Sequence, residues 1–451
     1  MIRPLRRALC AVVVLAAASA LAPMAPAGAW PIPRVEGELT VVEELPLSER
    51  LREVVVDSPA VGGRTRLRIL LPAGFDEQPD RRWPVLYLLH GGQDSYRSWT
   101  DKGDAEAITE GLDLIVVMPD SGTAATYTDW FRGGRGGTPA YETHHLVEIR
   151  ELLESRYRAD GRYVAAGLSS GGYGAMKYAA LHPDLFLAAA SFSGNLDMLE
   201  GDSLVWGYAG VLLTGLSSDL QLFATWGDPI LHEVFWRGEN PYDLAPNLRG
   251  MPLYLASGDG RRGPYDSWGL PGLALDVIEA GTHRRTQAFS RRLTALGIEH
   301  ELDLYGAGGH QWPYWQRELR EALPMLMAAL EAGPRPTPEA FTHRSARERF
   351  AVWGWTFEVT DRRGLAFTDV AIDGDTVAAT GDGTLVVTTP PRYEPGARYE
   401  VAGEEVRADD AGRVTFAIAL GGTAERYTPL PDPPGPRPAG PAATATIERI
   451  R

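Results

Sequence analysis

Cysteine is nearly absent from this sequence. One cysteine, Cys10, occurs in 451 residues, and it lies inside an N-terminal apolar run. Without it, the mature chain has no disulfide, thiol nucleophile or thiolate metal site. An excess of basic residues is lacking too, since the formal net charge is −15. This charge argues against nucleic acid and anionic membrane surfaces as partners.

A hydrophobic run long enough to span a membrane is also missing. Three arginines precede the apolar run Ala8–Ala22, and Ala27-Gly28-Ala29 supplies small residues for cleavage before Trp30. This pattern is typical of a secretory signal peptide, here residues 1–29, and the run is too short for a membrane span. We therefore expect a secreted bacterial protein with no stable membrane span.

The stretch from Arg162 to Tyr173, RYVAAGLSSGGY, carries the strongest chemical signal. It predicts a short buried strand, a G-x-S-x-G turn at residues 167–171, and a helix that runs to about His182. This order is the context of a nucleophile elbow, in which two glycines relieve backbone crowding and Ser169 projects its hydroxyl. A glycine- and serine-rich loop without chemistry is the alternative, but the flanking strand and helix favour a nucleophile.

Strand and helix patterns alternate along residues 30–332. Continuous apolar runs at Pro84–Leu89 and Leu112–Met118 are typical of strands buried on both faces. Apolar residues recur at helical spacing in Tyr141–Tyr157 and Leu275–Leu296. The alternation predicts an α/β-hydrolase fold, a mostly parallel, doubly wound sheet with functional loops at the carboxyl ends of its strands. The segment Leu196–Tyr242, rich in Trp and Gly, is predicted to form an irregular cap over the site.

The pattern changes after residue 332. Prolines in residues 333–342 predict a linker that follows the catalytic domain of residues 30–332. Short strands with Gly and Asp turns, the first of them Phe350–Thr360, then predict a C-terminal all-β sandwich over residues 343–428. Residues 429–451 read as a Pro-rich tail with room for one final strand.

A serine hydroxyl needs a base that takes its proton, and in hydrolases of this pattern the acid lies between serine and base in chain order. His310 is the best-placed base, because it lies in a Gly-rich loop after the last predicted strand of the sheet. Asp259 and Glu279 are the candidate acids, and spacing alone favours Asp259, which directly follows a strand. Backbone N–H groups of Gly92 and Ser170 are predicted to form the oxyanion hole.

Three segments together resemble the putative-esterase family, which includes esterase D (S-formylglutathione hydrolase) and the secreted mycolyltransferases of actinobacteria. They are the elbow, the His-Gly-Gly loop that begins at His90, and the stretch Gly309–Trp315. The mycolyltransferase branch is closer. Its His-Ser-Trp-x-Tyr-Trp stretch is similar to residues 310–315 except at Gln311, and its Tyr-Thr-Asp-Trp is similar to residues 127–130.

The resemblance covers roughly residues 51–330 and implies ester chemistry without a metal or organic cofactor. The family's triad acid is a glutamate in a segment similar to residues 278–281, so the resemblance moves the predicted acid to Glu279 and leaves Asp259 as the alternative. Mycolyltransferases carry an Asp and an Arg that contribute to trehalose binding where this chain has His90 and Gln93. The resemblance therefore implies the esterase chemistry rather than mycolyl transfer.

Together these expectations predict a secreted serine esterase that acts on small-molecule or lipid esters through an acyl-enzyme. The predicted substrate contacts are His90, Gln93 and Trp312. Acyl transfer to a sugar such as trehalose is the first alternative, and a non-catalytic cell-wall-binding protein of the same fold is the second. Cell-wall carbohydrate is a candidate partner of the sandwich, in which Trp353 and Trp355 are either sugar-stacking or core residues.

Overall fold

A computed structural model describes residues 37–132, 135–199, 223–229, 231–266, 270–362, 365–421 and 442–450. The predicted signal peptide, with Cys10, and residues 200–222 of the predicted cap lie outside the described residues. Within the ranges given above, no helix is both long enough and apolar enough to cross a membrane.

Nine strands of the described residues form one sheet. They are β1 (Thr40–Pro46), β2 (Leu51–Ser58), β3 (Gly63–Leu70), β4 (Trp83–Leu89), β5 (Ile115–Pro119), β6 (Ala159–Leu168), β7 (Phe186–Phe192), β8 (Leu253–Gly258) and β9 (Glu301–Gly306). The spatial order is β1-β2-β3-β5-β4-β6-β7-β8-β9. Strands β1 to β3 pair antiparallel at one edge, and β4 to β9 run parallel. This is the predicted α/β-hydrolase fold, with β1 as a strand that the sequence pattern did not reveal.

Both faces of this sheet are covered. Side chains alternate along a strand, so Tyr87 of β4 joins one hydrophobic cluster while Leu86 and Leu88 join the other. Strand β4 is therefore buried along its whole length, which is why its sequence reads as one continuous apolar run.

The helices pack on the two faces and lead into the loops at the sheet edge. They are α1 (Ser98–Asp101), α2 (Ala105–Ile108), α3 (Tyr141–Thr143), α4 (Arg150–Arg156), α5 (Ser170–Leu181), α6 (Glu233–Gly238), α7 (Pro241–Leu244), α8 (Leu270–Ala295) and α9 (Trp312–Ala332). A π-helical turn, His144–Ile149, joins α3 to α4, so the predicted helix from Tyr141 is present but irregular. A 3₁₀ turn, Ala245–Leu248, follows α7. The described part of the predicted cap contains α6, so that part is not wholly irregular.

An all-β sandwich follows α9. In the described residues its strands are β10 (Ala340–Ser345), β11 (Arg349–Val352), β12 (Trp355–Thr360), β13 (Thr368–Asp373), β14 (Thr376–Thr380), β15 (Thr384–Thr388), β16 (Arg398–Val401), β17 (Glu404–Arg407), β18 (Thr415–Ala419) and β19 (Ala443–Arg449). One sheet has the order β10-β13-β14-β19-β16-β17, and the other has the order β11-β12-β15-β18. Buried residues of both sheets share one hydrophobic core.

The sandwich differs from the prediction at three places. Strand β10 begins at Ala340, inside the predicted linker. The final strand for which the predicted tail left room is present as β19, but it belongs to the sandwich, where it lies between β14 and β16. The run predicted as one strand from Phe350 is a hairpin, because Trp353 and Gly354 both have positive φ, 53° and 80°, and turn the chain between β11 and β12. Trp355 is a core residue, 1% exposed.

Candidate active site

The predicted nucleophile, Ser169, lies at the turn between β6 and α5. Its backbone has φ 52° and ψ −119°, a conformation that residues with a side chain rarely adopt. The Ser169 N–H donates a 2.8 Å hydrogen bond to the Phe192 carbonyl at the end of β7. Ser169 is partly exposed, whereas the last six residues of β6 are buried. A strained, accessible serine at a strand-to-helix turn has the geometry of a nucleophile elbow.

Two glycines let the backbone close around this serine. A Cβ on Gly167 would lie 2.4 Å from the Gly171 carbonyl carbon, and a Cβ on Gly171 would lie 2.3 Å from the Leu89 carbonyl oxygen. Atoms do not approach that closely, so both positions require glycine. The crowding expected from the G-x-S-x-G pattern is therefore present, and it brings the end of β4 against the elbow.

The loop after β4 lies directly over the elbow. A Cβ on Gly91 would stand 3.3 Å from the Ser169 Cβ, and a Cβ on Gly92 would stand 3.5 Å from the Ser170 Oγ. Ser170 is the first residue of α5, so its N–H belongs to the first turn, where helical N–H groups have no partner within the helix. The two backbone groups predicted to form an oxyanion hole therefore lie on adjoining segments.

The side chain of His90 points into the fold. It is 1% exposed. Its Nδ1 lies 2.8 Å from the Gly91 carbonyl oxygen, and its Nε2 accepts a 3.1 Å hydrogen bond from the Ser121 N–H. Both ring nitrogens thus bind backbone groups, as a neutral imidazole protonated on Nδ1 does. We therefore assign His90 to holding the loop in place, and not to the substrate contact that the sequence analysis predicted.

The other two predicted substrate contacts, Gln93 and Trp312, are accessible. Gln93 is exposed, and Trp312 is partly exposed. The Trp312 ring packs edge-on against Trp99 and Trp315, with centroid distances of 5.2 and 5.3 Å. Trp315 in turn lies edge-on to His310 at 4.8 Å. Trp312 therefore belongs to an aromatic group beside His310, and its contact with substrate stays a prediction.

His310 and Glu279 form a buried pair at the carboxyl edge of the sheet. His310 lies in the loop between β9 and α9, and Glu279 lies on α8. The His310 Nδ1 is 2.7 Å from Glu279 Oε2. His310 is 8% exposed and Glu279 is fully buried. The Glu279 carboxylate favours the imidazole tautomer that has its proton on Nδ1, because that proton forms the hydrogen bond. The Nε2 atom of this tautomer is the proton acceptor.

The second oxygen of Glu279 accepts three hydrogen bonds. The donors are Ser193 Oγ, Ser257 Oγ and the Gly258 N–H, each 2.8 Å from Oε1. Burial raises the pKa of the Glu279 carboxyl, but the hydrogen bond and charge of His310 and the two serine hydroxyls lower it more, so its pKa lies below the ordinary value. Glu279 is therefore ionised at neutral pH and suited to stabilise an imidazolium.

Ser169 and the His310–Glu279 pair both form hydrogen bonds with neighbouring residues at the carboxyl end of β7. The Ser169 N–H binds the carbonyl of Phe192, and the next residue, Ser193, binds Glu279. Within the described residues, no hydrogen bond joins His310 to Ser169. Hydrogen bonds between a nucleophile and its base are often long without substrate and tighten in the complex. Neighbouring residues at the carboxyl end of β7 therefore hold both the predicted nucleophile and the His310–Glu279 pair.

Asp259, the alternative acid, has a different partner. Its carboxylate accepts hydrogen bonds of 2.8 Å from the Arg261 N–H and 2.7 Å from Arg261 Nε. These bonds lower the pKa of the Asp259 carboxyl, and the Arg261 side chain is 78% exposed. The structure thus pairs His310 with Glu279 and pairs Asp259 with a surface arginine.

Ser193, Ser257 and Asp266 are site residues that the sequence analysis missed. Each serine stands in a Ser-Gly pair at the end of a parallel strand, and this repeated ending is the signal that would have found them. Asp266 has no such signal, because its partners in the His310 loop lie 43 and 45 residues further along the chain.

The Asp266 carboxylate holds the residues on both sides of His310 through hydrogen bonds. Its Oδ1 accepts a 3.1 Å hydrogen bond from the Gly309 N–H and a 2.9 Å hydrogen bond from Gln311 Nε2. Its Oδ2 accepts a 2.6 Å hydrogen bond from the Gly263 N–H. The residues before and after the imidazole are therefore held by one carboxylate, which limits how the His310 loop can move.

Comparison with known proteins places this geometry in a family. The family model described as putative esterase matches residues 58–326, more than half of the chain. Esterase Rv1288 of Mycobacterium tuberculosis is 30% identical over 281 residues, which cover 60% of this chain and 58% of that protein. The match thus spans little more than half of the relative's length.

Two further proteins are similar over comparable shares of the chain. Diacylglycerol acyltransferase/mycolyltransferase Ag85B of Mycolicibacterium smegmatis is 29% identical over 256 residues, covering 54% of this chain and 77% of that protein. The solved structure of Mycobacterium tuberculosis MPT51 has 24% identity and a TM-score of 0.50, covering 61% of this chain and 97% of that one. This structural likeness shows a shared fold. Because the family match spans the elbow, the loop after β4 and the His310–Glu279 pair, the chain belongs to the putative esterase family.

Proposed function

We propose that this chain is a serine esterase that cleaves carboxylic esters through an acyl-enzyme. The observation that carries the proposal is the 2.7 Å hydrogen bond between His310 and Glu279, beside the strained turn of Ser169. A buried imidazole with an ionised carboxylate on Nδ1 acts as a general base, and an elbow serine is the nucleophile that such a base activates. Membership of the esterase family supports the same chemistry.

In the first half-reaction, Ser169 Oγ attacks the ester carbonyl carbon while His310 Nε2 takes the hydroxyl proton. Glu279 accepts the Nδ1–H hydrogen bond, which fixes the tautomer and stabilises the imidazolium. The negative charge on the carbonyl oxygen is received by the N–H groups of Gly92 and Ser170, and one such donor is worth about 3–4 kcal/mol. The imidazolium then protonates the leaving alcohol as the C–O bond breaks.

In the second half-reaction, water attacks the acyl group on Ser169. His310 takes a proton from the water and then returns it to the Ser169 oxygen as the acid leaves. The accessible aromatic ring of Trp312 supports an ester with an apolar part, either a small molecule or a lipid. The N-terminal signal pattern supports action outside the cell.

Acyl transfer to a sugar hydroxyl is the second candidate. Similarity to a mycolyltransferase, 29% identity over 256 residues, favours it. In that reaction a sugar hydroxyl replaces water as the attacking group. His90 is buried with both ring nitrogens bound, and Gln93 is uncharged. These two positions therefore offer no charged pair for trehalose, and hydrolysis is the preferred proposal.

A competition assay separates the two candidates. We expect the purified protein to hydrolyse p-nitrophenyl butyrate, and added trehalose to leave the yield of free butyrate unchanged. Mass spectrometry of the products checks this, because acylated trehalose would overturn plain hydrolysis in favour of transfer. A fluorophosphonate probe is expected to label the peptide that contains Ser169. A protein that neither turns over ester nor takes the label would instead support the non-catalytic binding protein.

Asp266→Ala is expected to lower kcat about 10- to 100-fold with KM changed less than about threefold, because small displacements of a catalytic base are costly. The physical reason is the loss of both anchors of the His310 loop. Gln311→Ala is the matched control, since it removes one anchor and leaves the Gly309 N–H bound. Steady-state kinetics with thermal unfolding checks the result, and a wild-type kcat in Asp266→Ala would contradict it.

A further inference from the structure

A cluster of buried charges joins the sandwich to the α/β domain. We call it the interdomain charge cluster, and it consists of Glu142, Lys177, Glu239 and Arg347. Lys177 lies on α5, the helix that follows the nucleophile, and both it and Glu239 are fully buried. Arg347 comes from the turn between β10 and β11 of the sandwich, and its side chain is 18% exposed.

Two cations face two carboxylates in this cluster, and two further groups border it. His182 Nε2 lies 3.0 Å from Glu142 Oε1, and burial and the charge of Glu142 raise the pKa of the Asp129 carboxyl to about 6. Arg347 donates to the two carboxylate oxygens of Glu142 at 2.6 and 2.7 Å, and to Glu239 Oε1 at 3.0 Å. The Lys177 ammonium lies 2.8 Å from Glu142 and also contacts Glu239. Removing Arg347 would leave two buried carboxylates with one ammonium, and buried charges without partners are strongly unfavourable.

The cluster is connected to the loop that carries Gly92. The Lys177 ammonium donates a 2.6 Å hydrogen bond to the Tyr127 carbonyl, and Thr128 Oγ1 donates to Glu239 Oε2 at 2.7 Å. The Tyr127 hydroxyl in turn donates a 2.6 Å hydrogen bond to the His90 carbonyl, two residues before Gly92.

The backbone conformation of Tyr127 makes its position depend on the hydrogen bonds around it. Tyr127 has a φ of 49° and is fully buried. A residue with a side chain keeps such a conformation only where its surroundings hold it. Here the surroundings include the Lys177 ammonium on the Tyr127 carbonyl, the Ser121 hydroxyl that accepts from the Tyr127 N–H, and the hydrogen bond from Thr128 to Glu239. If the cluster loses its charge balance, we expect Tyr127 to shift and its hydroxyl to lose the His90 carbonyl.

We propose that Arg347 of the sandwich is a positioning residue for the loop after β4, acting through the interdomain charge cluster and Tyr127. Its effect on catalysis rests on the proposed function, because that function places Gly92 in the oxyanion hole. The C-terminal sandwich then completes the α/β domain instead of being an independent appendage.

The test compares two full-length variants that each weaken contact between the domains. Arg347→Met removes the cluster's second cation. Asn247→Ala is the matched control: the Asn247 side chain bridges the domains through hydrogen bonds of 2.9 and 2.8 Å with the Arg344 backbone. A third hydrogen bond, 3.0 Å from Asn247 Nδ2 to the Ala180 carbonyl, reaches α5, but none of the three involves a charged side chain of the cluster. Hydrogen–deuterium exchange of the peptide that spans residues 90–93 is measured without substrate, alongside ester kinetics and thermal unfolding.

We expect faster exchange of residues 90–93 in Arg347→Met than in wild type or in Asn247→Ala. We also expect kcat of Arg347→Met to fall about 10- to 100-fold with KM within about twofold, since the oxyanion donor is displaced. A lower melting temperature with unchanged loop exchange would overturn the proposal, because it is the result of a merely structural contact. Restoring charge balance with Glu239→Gln in the Met background is expected to return loop exchange towards wild type, and no recovery would count against the charge argument.

Measuring hydrogen–deuterium exchange without substrate distinguishes failure of the proposed function from failure of the positioning role. Faster loop exchange in a protein that turns over no ester would overturn the proposed function and leave the positioning role standing. An active enzyme with unchanged loop exchange would overturn the positioning role alone. If Arg347→Met does not fold, Arg347→Gln carries the test, since glutamine removes the cation but still offers an amide donor to the carboxylates. Loop exchange equal to wild type in that variant would overturn the proposal.

Discussion

Ser169→Ala is expected to abolish ester hydrolysis, with kcat lower by about 10⁴- to 10⁶-fold. Alanine cannot form the acyl-enzyme, so the residual rate comes from binding and the oxyanion hole alone. The strained turn should persist, because its close contacts involve Gly167, Gly171 and the backbone of Leu89 rather than the serine hydroxyl. Steady-state hydrolysis of p-nitrophenyl butyrate and fluorophosphonate labelling measure the loss.

The neighbouring serine supplies a matched control for this variant. Ser170→Ala keeps the backbone N–H proposed for the oxyanion hole and removes only the hydroxyl, so we expect activity within about threefold of wild type. If Ser169→Ala retained activity while Ser170→Ala lost it, the nucleophile would be assigned to the wrong serine. If both variants kept wild-type rates, the elbow would not be the site of the reaction.

Glu279→Gln is expected to lower kcat by about 10³- to 10⁴-fold, because the amide cannot stabilise an imidazolium and favours the wrong tautomer. The amide remains similar in size to the carboxylate that three donors surround on Oε1. Asp259→Asn is the matched control, since Asp259 binds Arg261 at the surface, and we expect a change of less than about threefold. Equal, small losses in the two variants would remove both residues from the triad.

The pH dependence of stability gives Glu279 a second readout. Its pKa is below the ordinary value in the native state, so the native protein binds fewer protons there than the unfolded chain. This stabilisation is present above the unfolded pKa of about 4.3 and is lost as the pH falls through the lower native pKa. The melting temperature of wild type should therefore fall in acid by more than that of Glu279→Gln, which lacks this carboxylate. Parallel curves for the two proteins would contradict this assignment of charge.

The elbow and the sheet were predictable because their causes are local. Gly167 and Gly171 are required by backbone atoms within the same turn and the adjoining strand, and a strand buried on both faces reads as an apolar run. His310 was found by the same logic, since a Gly-rich loop after the last strand reaches the carboxyl edge. The hairpin at Trp353 was missed because a turn of two positive-φ residues leaves no polar break in an otherwise apolar run.

Local patterns were therefore enough to predict the fold class, the nucleophile turn and the loop of the predicted base, because short-range sterics and periodicity encode them. Spacing favoured Asp259 as the acid and the family resemblance indicated Glu279, and the contact itself is seen only in the tertiary structure, because Glu279 lies 31 residues from His310 on α8. The same holds for Arg347, whose partners Glu142 and Glu239 are 205 and 108 residues distant in the chain. Contacts of that kind depend on how strands and helices are ordered in space, which no local pattern records.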